Sequence, residues 1–195
     1  MRTLASRLCL LVVATSLAAA VAPRTALTQD ATPAPATRTE EELRRLYQGA
    51  WHLLQPEATA RTRIDSGIER PVGEMNYFLQ GVARDQMRAN TPLNRRIDIG
   101  FEAASSITVV FDQRFTYTTR PGVSQTFSLP DGGSVDVRQY FRDGALEQYF
   151  ETSLGRRWNV YRLSADGQTM TISATQQGSM MPAPMHFTLD YRQRS

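Results

Sequence analysis

The chain has 195 residues and a formal charge of +3, a length that suits one domain of ordinary size. All 22 basic residues are arginines, and three of them precede residue 29, where no acid occurs. The rest of the chain therefore balances 19 arginines against 19 acids. This balance does not indicate the local excess of cations that nucleic-acid binding requires, so we expect no nucleic-acid partner.

Residues 1–28 have the layout of a secretory signal peptide. Arg2 and Arg7 form a positive start, and an apolar run from Leu8 to Val21 leads into small residues. This run is shorter than the ~20 residues that cross a bilayer, so an uncleaved membrane anchor is the less favoured alternative. The sequence predicts an exported bacterial protein, periplasmic or secreted, with no stable membrane insertion after cleavage.

The only cysteine, Cys9, lies inside this predicted signal. A mature chain without cysteine excludes disulfides, thiol nucleophiles and thiolate metal sites. The next segment, residues 29–38, is rich in proline, alanine and threonine and predicts a disordered linker. A single globular domain should then occupy residues 39–195.

Residues 39–93 predict mainly helical structure. Thr39 and the three glutamates after it match a capping box, which marks the start of a helix. A short helix to about Gln48 followed by a strand over residues 50–54 explains the next pattern as well as a longer helix through Trp51. A second apolar stripe over residues 64–90 contains Pro71, so it predicts a kink or two helices that meet there.

After Leu93 the hydrophobic period changes from 3.6 to 2. Turn residues recur every 10 to 12 positions, which predicts an antiparallel meander. Apolar and polar residues alternate along each segment, as expected when one sheet face is buried and the other is wet. Over residues 94–195 we expect about eight or nine strands. They should form a closed or half-open barrel on which the helical segment packs, because closure removes exposed edges.

Two stretches resemble a known group of proteins. Gly49-Ala50-Trp51 matches a Gly-x-Trp motif, and residues 155–192 look like closing strands with a basic residue near the end. Both resemble the calycins, which include lipocalins and bacterial lipocalin-like exported proteins. The resemblance implies a barrel in which Trp51 and Arg192 form a structural pair at the closed end. Residues 56–93 depart from the family pattern as an insertion directly after the motif.

Catalytic and metal-binding patterns are weak. The sequence has no lysine and no Gly-x-Ser-x-Gly motif, and its two histidines do not form a zinc-binding pair. Glu147 and Glu151 share one predicted strand face, where we interpret them as solvated. A cluster of soft ligands near the C-terminus offers a remote copper-type alternative to a simple hairpin loop. Its members are Met180, Met181, Met185 and His186. We expect no cofactor and no metal.

The predicted apolar face of the sheet carries most of the aromatic residues. These residues form the core and, if the barrel is wide enough, also line a ligand cavity with a few polar groups. The candidate ligand-binding residues are Phe115, Tyr117, Phe127, Phe150, Trp158, Arg162, Phe187 and Tyr191.

The leading hypothesis is an exported, non-enzymatic barrel that binds a small apolar or amphipathic ligand. One alternative is a structural or protein-interaction module of the bacterial envelope without a ligand cavity. Another is a small hydrolase or isomerase on the same scaffold, although no acid–base pair stands out in the sequence.

Overall fold

The computed structural model describes residues 38–102, 106–130 and 132–193. The predicted signal peptide and all but the last residue of the predicted linker lie outside the described residues. The helices are α1 (Glu40–Tyr47), α2 (Glu57–Gly73) and α3 (Tyr77–Ala89). The strands are β1 (Gly49–Leu53), β2 (Arg96–Gly100), β3 (Ile107–Phe111), β4 (Phe115–Thr119), β5 (Gln125–Ser128), β6 (Ser134–Arg142), β7 (Ala145–Thr152), β8 (Gly155–Leu163), β9 (Thr169–Gly178) and β10 (Met185–Gln193).

Helix α1 begins with the predicted capping box. The Thr39 hydroxyl accepts the Glu42 backbone N–H, and the Glu42 carboxylate accepts the Thr39 backbone N–H at 2.7 Å. The helix ends at Tyr47, and the backbone is extended at Gln48 before β1 starts at Gly49. Of the two interpretations of this region, a short helix followed by a strand is therefore confirmed, and Trp51 lies on the strand.

Two helices occupy the second predicted helical stripe. Helix α2 continues through Pro71 to Gly73, and α3 starts after Asn76, whose side chain accepts the Phe78 backbone N–H. The break lies three residues beyond Pro71, because a proline near the last turn costs the helix only one hydrogen bond. These helices connect β1 to β2, which are neighbours in the sheet.

All ten strands form one antiparallel sheet in the order β4-β3-β2-β1-β10-β9-β8-β7-β6-β5. Its two edge strands, β4 and β5, follow each other in the chain but do not pair. The Gln139 side chain of β6 reaches across this gap and donates to the carbonyl oxygens of Tyr117 (3.1 Å) and Ile107 (3.3 Å). The sheet is thus a nearly closed up-and-down barrel, and the predicted calycin-like fold is confirmed.

One end of the barrel, which we call the closed end, is packed around Tyr47, Trp51, Leu146 and Tyr161, all with no exposed surface. The Tyr47 hydroxyl donates to the Tyr161 carbonyl at 2.6 Å, and the Trp51 indole N–H donates to the Tyr47 carbonyl at 2.9 Å. Helix α1 is therefore fixed to the sheet by buried hydrogen bonds as well as by apolar contact.

The predicted pair of Trp51 and Arg192 is wrong. Trp51 lies opposite Gln193 in the β1–β10 ladder, whereas Arg192 lies opposite His52 and is exposed. Successive side chains of a strand point to opposite faces, so a shift of one residue moves Arg192 to the outside of the barrel.

Helix α2 covers the part of β10 that the short β1 leaves without a partner. Arg63 donates to the Thr188 carbonyl and forms an ion pair with Asp190 at 3.0 Å. A methyl group added at Gly67 would come within 2.4 Å of the His186 carbonyl oxygen, so the helix backbone lies against the strand edge. The adjoining stripe of α2 is fully buried in the core, and its members are Ala60, Ile64, Ile68 and Val72.

Candidate functional site

The second end of the barrel is lined by aromatic rings that are only partly buried. We call it the aromatic end and define it by Phe115, Tyr117, Phe127, Phe150 and Arg157. The Tyr117 ring lies edge-on to both Phe127 and Phe150, with ring centres 5.2 Å apart in each case. This end therefore presents an apolar surface to solvent, in contrast to the solid packing around Trp51.

Arg157 is the polar group of the aromatic end. Its side chain points inward from β8, where its guanidinium lies 5.6 Å from the centre of the Phe187 ring and donates to Asn159 Oδ1 at 2.9 Å. Among the described residues no carboxylate pairs with it. Burial lowers the pKa of Arg157, because the charged guanidinium loses part of its hydration there.

A chain of buried amides and hydroxyls continues inward from Arg157. Tyr161 donates its hydroxyl hydrogen to Gln148 Oε1 at 2.6 Å, and the Asn159 amide donates to the same oxygen at 3.4 Å. Burial raises the pKa of Tyr161, because the phenolate would lose its hydration. Burial also raises the pKa of Tyr117, against the nearby positive charge of Arg157. Both hydroxyls are therefore neutral at physiological pH.

Six of the eight predicted ligand-binding residues face the interior, and five of them lie at or beside the aromatic end: Phe115, Tyr117, Phe127, Phe150 and Phe187. The sixth, Tyr191, is buried deeper, and its hydroxyl donates to the Asn94 carbonyl at 2.9 Å. Whether these residues contact a ligand remains a prediction.

The predicted face of Trp158 and Arg162 is wrong. Trp158 is 40% exposed and Arg162 is also exposed, so both point away from the interior. In β8 the residues that point inward are Arg157, Asn159 and Tyr161. The more polar residue types therefore occupy the face on which apolar residues were expected. Sequence analysis missed Arg157 for this reason. The sequence offered one clue. Tyr161 lies four residues from Arg157, so both side chains point to the same face of β8, and a tyrosine is more common in a protein core than an arginine.

The soft-ligand cluster near the C-terminus is dispersed in the structure. Met180 is 90% exposed, whereas Met185 is fully buried on the inner face of β10. His186 points outward and shares a hydrogen bond with Thr175 at 2.9 Å, and the Met181 sulfur accepts the Gly178 backbone N–H. Within the described residues, no group of three or more His, Cys, Asp or Glu side chains could hold a metal ion.

Glu147 lies on the outer face, as its position in β7 predicts, but the expectation that it is solvated is wrong. Its side chain is 7% exposed, and its nearest cation is Arg142 at 3.8 Å. The pKa of Tyr140 is raised, mainly by burial and secondly by this carboxylate. Glu151, on the same face, is exposed. The two carboxylates therefore differ in environment, and both lie on the outer face of the sheet.

Comparison with known proteins finds structural likeness only. No family model and no curated protein matches the chain. A fatty-acid-binding protein of Echinococcus granulosus aligns with 77% of this chain and 99% of its own, at 12% identity and a TM-score of 0.48. A Schistosoma mansoni fatty-acid-binding protein in complex with arachidonic acid aligns with 78% and 98%, at 12% identity and a TM-score of 0.48. A secretory abundant heat soluble protein of Ramazzottius varieornatus gives 76% and 96%, at 10% identity and a TM-score of 0.47.

None of the described helices is long and apolar enough to cross a membrane.

Proposed function

We propose that this chain is an exported, non-enzymatic carrier that binds an amphipathic molecule with an acidic head group at the aromatic end of its barrel. The observation that carries this proposal is Arg157, an inward-facing arginine with no carboxylate partner among the described residues. A partly buried guanidinium without a counter-charge is costly, and an anionic ligand would offset that cost.

The surroundings of Arg157 define the rest of the ligand. Phe150 lies opposite Arg157 in the β7–β8 ladder, and Tyr117 packs against Phe150. Aromatic and aliphatic walls with a few placed polar groups are typical of sites for small amphipathic molecules. The export part of the proposal rests on residues 1–28, which have the composition of a secretory signal.

Calorimetry with two ligands of equal chain length tests the site. Palmitate carries the carboxylate that Arg157 would bind, and 1-hexadecanol carries only a hydroxyl. We expect Arg157→Gln to weaken palmitate binding by about tenfold or more and to leave hexadecanol binding nearly unchanged. Arg138→Gln removes an exposed arginine from the outer face and is the matched control.

The alternative of a protein-interaction module without a cavity is favoured by one observation. Ile64, Ile68 and Val72 of α2 have no exposed surface, so this helix fills part of the interior. The same experiment separates the two functions. If neither ligand binds the unmodified chain, the carrier proposal fails and the interaction module becomes the better explanation. Native mass spectrometry of the protein purified after export would also show a retained ligand and the cleavage site.

A further inference from the structure

A cleft lies outside the barrel, between the start of α2, the start of β2 and the turn that joins β3 to β4. Its volume is about 510 Å³. We call it the arginine cleft and define its charged lining as Glu57, Arg61, Arg95, Arg96, Asp112 and Arg114. Pro92 and Leu93 form an apolar part of its wall.

Two of the four arginines are already neutralised. Arg95 forms an ion pair with Glu57 at 2.6 Å, and Arg96 forms one with Asp98 at 2.7 Å. The remaining acid, Asp112, accepts the backbone N–H groups of Arg95 and Arg96 through one carboxylate oxygen, both at 2.8 Å. One oxygen of this carboxylate is thereby used by the backbone at the start of β2, and among the described residues no arginine forms an ion pair with Asp112.

Arg61 and Arg114 are left with no carboxylate partner among the described residues. Arg61 donates one N–H to the Thr91 carbonyl at 3.1 Å, so most of its donors remain available. The Arg114 guanidinium lies over the Phe115 ring at 5.6 Å, a contact that holds the planar group without using its N–H donors. The cleft therefore offers two unused guanidinium forks, one from a helix and one from a turn.

The local backbone holds these two groups in place. Asp112 and Gln113 have φ values of 48° and 58°, the left-handed conformation required by a tight hairpin turn. The two hydrogen bonds to Asp112 fix this turn against β2, and so they fix the start of Arg114. Helix α2 begins next to the cleft, at Glu57, and no side chain caps its first turn. The positive end of the helix dipole adds to the local potential.

We propose that the arginine cleft binds a phosphate-type oxyanion, held between Arg61 and Arg114. A guanidinium donates two parallel hydrogen bonds to such a group, and two guanidiniums match a doubly charged one. The apolar wall at Pro92 and Leu93 leaves room for an organic substituent. Arg157 does not line this cleft, although Arg114 contacts Phe115 of the aromatic end. The two proposals are tested with different ligands and different variants, so the failure of one is distinguishable from the failure of the other.

The test is calorimetric titration of the full chain with inorganic phosphate at pH 7.5 and low ionic strength. The double variant Arg61→Gln/Arg114→Gln should bind phosphate about tenfold or more weakly than the unmodified chain. The double variant Arg162→Gln/Arg192→Gln makes the same charge change at two exposed positions of the outer sheet face, and it should bind within about twofold of the unmodified chain. Circular dichroism checks that both variants are folded. Arg114→Gln alone removes one of the two proposed phosphate ligands and, from the contacts of the folded chain, the contact with the Phe115 ring. It should weaken phosphate binding by less than the double variant does.

Saturable binding that only the cleft variants lose supports the proposal. The absence of saturable binding, or an equal loss in both double variants, would overturn it, because the attraction would then be absent or due to net charge alone. Phosphatidylcholine vesicles with and without phosphatidic acid identify the source of the group. Vesicle binding that depends on phosphatidic acid and on the cleft arginines supports a lipid head group. Phosphate binding without vesicle binding supports a soluble phosphate.

Discussion

The two ends of the barrel use aromatic residues in different ways. At the closed end, Tyr47, Trp51 and Tyr161 have no exposed surface, and their polar atoms all have hydrogen-bond partners. At the aromatic end, Tyr117 and Phe150 are partly exposed. The Tyr117 hydroxyl has no hydrogen-bond partner among the described residues. The difference shows that one end is built for stability, whereas the other keeps an accessible apolar surface.

The largest contrast should appear when one ring is removed from each end. Trp51→Ala should lower the free energy of unfolding by about 3–5 kcal/mol, because it leaves a cavity in a solid core. Phe150→Ala should lower it by only about 1–2 kcal/mol, because that ring is already partly hydrated. Urea unfolding followed by circular dichroism measures both. Equal losses would contradict the distinction between the two ends.

The position of α2 over β10 depends on Gly67. Gly67→Ala should lower the free energy of unfolding by about 1–3 kcal/mol, since the new methyl group meets the His186 carbonyl oxygen. Gly73→Ala, in the same helix with nothing within 4 Å of the new atom, should instead be neutral or stabilise by about 0.5 kcal/mol. Thermal unfolding distinguishes these outcomes. If both variants behave alike, α2 does not lie against the strand edge.

Matched hydroxyl deletions sharpen the comparison further. Tyr161→Phe should cost about 1–2 kcal/mol, because it removes the short hydrogen bond to the buried Gln148 oxygen. Tyr117→Phe should change stability by less than about 0.5 kcal/mol, because no partner is lost. Chemical denaturation of the two variants provides the measurement. A loss at Tyr117 as large as that at Tyr161 would argue for an unrecognised partner at the aromatic end.

Tyrosine ionisation should have the smallest effect on the free energy of unfolding near neutral pH. Burial raises the pKa of Tyr161 and Tyr191 above the ordinary value of 10.0. The unfolded chain therefore loses these protons first, so stability should be constant from pH 7 to 9 and should fall above about pH 10. Tyr161→Phe and Tyr191→Phe should each make this decline shallower in unfolding experiments between pH 9 and 11. An unchanged slope would contradict the burial of the phenols.

Local patterns predicted the elements well. The capping box at Thr39, the break after Pro71 and the turn glycines of the meander all depend on backbone chemistry within a few residues. Residues on the long strands were assigned to the correct face wherever apolar and polar types alternate, as at Phe187 and Tyr191. These features are decided by local sequence, which explains why helices, strands and the barrel class could be predicted.

The candidate site was only partly predictable. Its aromatic rings were named from the sequence, but Arg157 was not, because an inward arginine reverses the expected pattern of β8. The ladder to Phe150 and Gln176 and the contact with the Phe187 ring show which face Arg157 occupies. The exposure of Trp158 and Arg162 on β8, and the β1–β10 ladder for Arg192, correct the positions of those three residues.

The sequence by itself determined the helical start, the strand-rich remainder and the absence of cysteine after residue 9. Tertiary structure alone decided how the barrel closes and where its charges lie. Gln139 bridges the gap between β4 and β5, and Arg61 joins Arg114 at one cleft although they are far apart in the chain. The physical reason is the distance along the chain over which each kind of interaction acts. Hydrogen bonding and hydrophobic period act over a few residues, whereas strand register and unpaired charge depend on partners that only folding brings together.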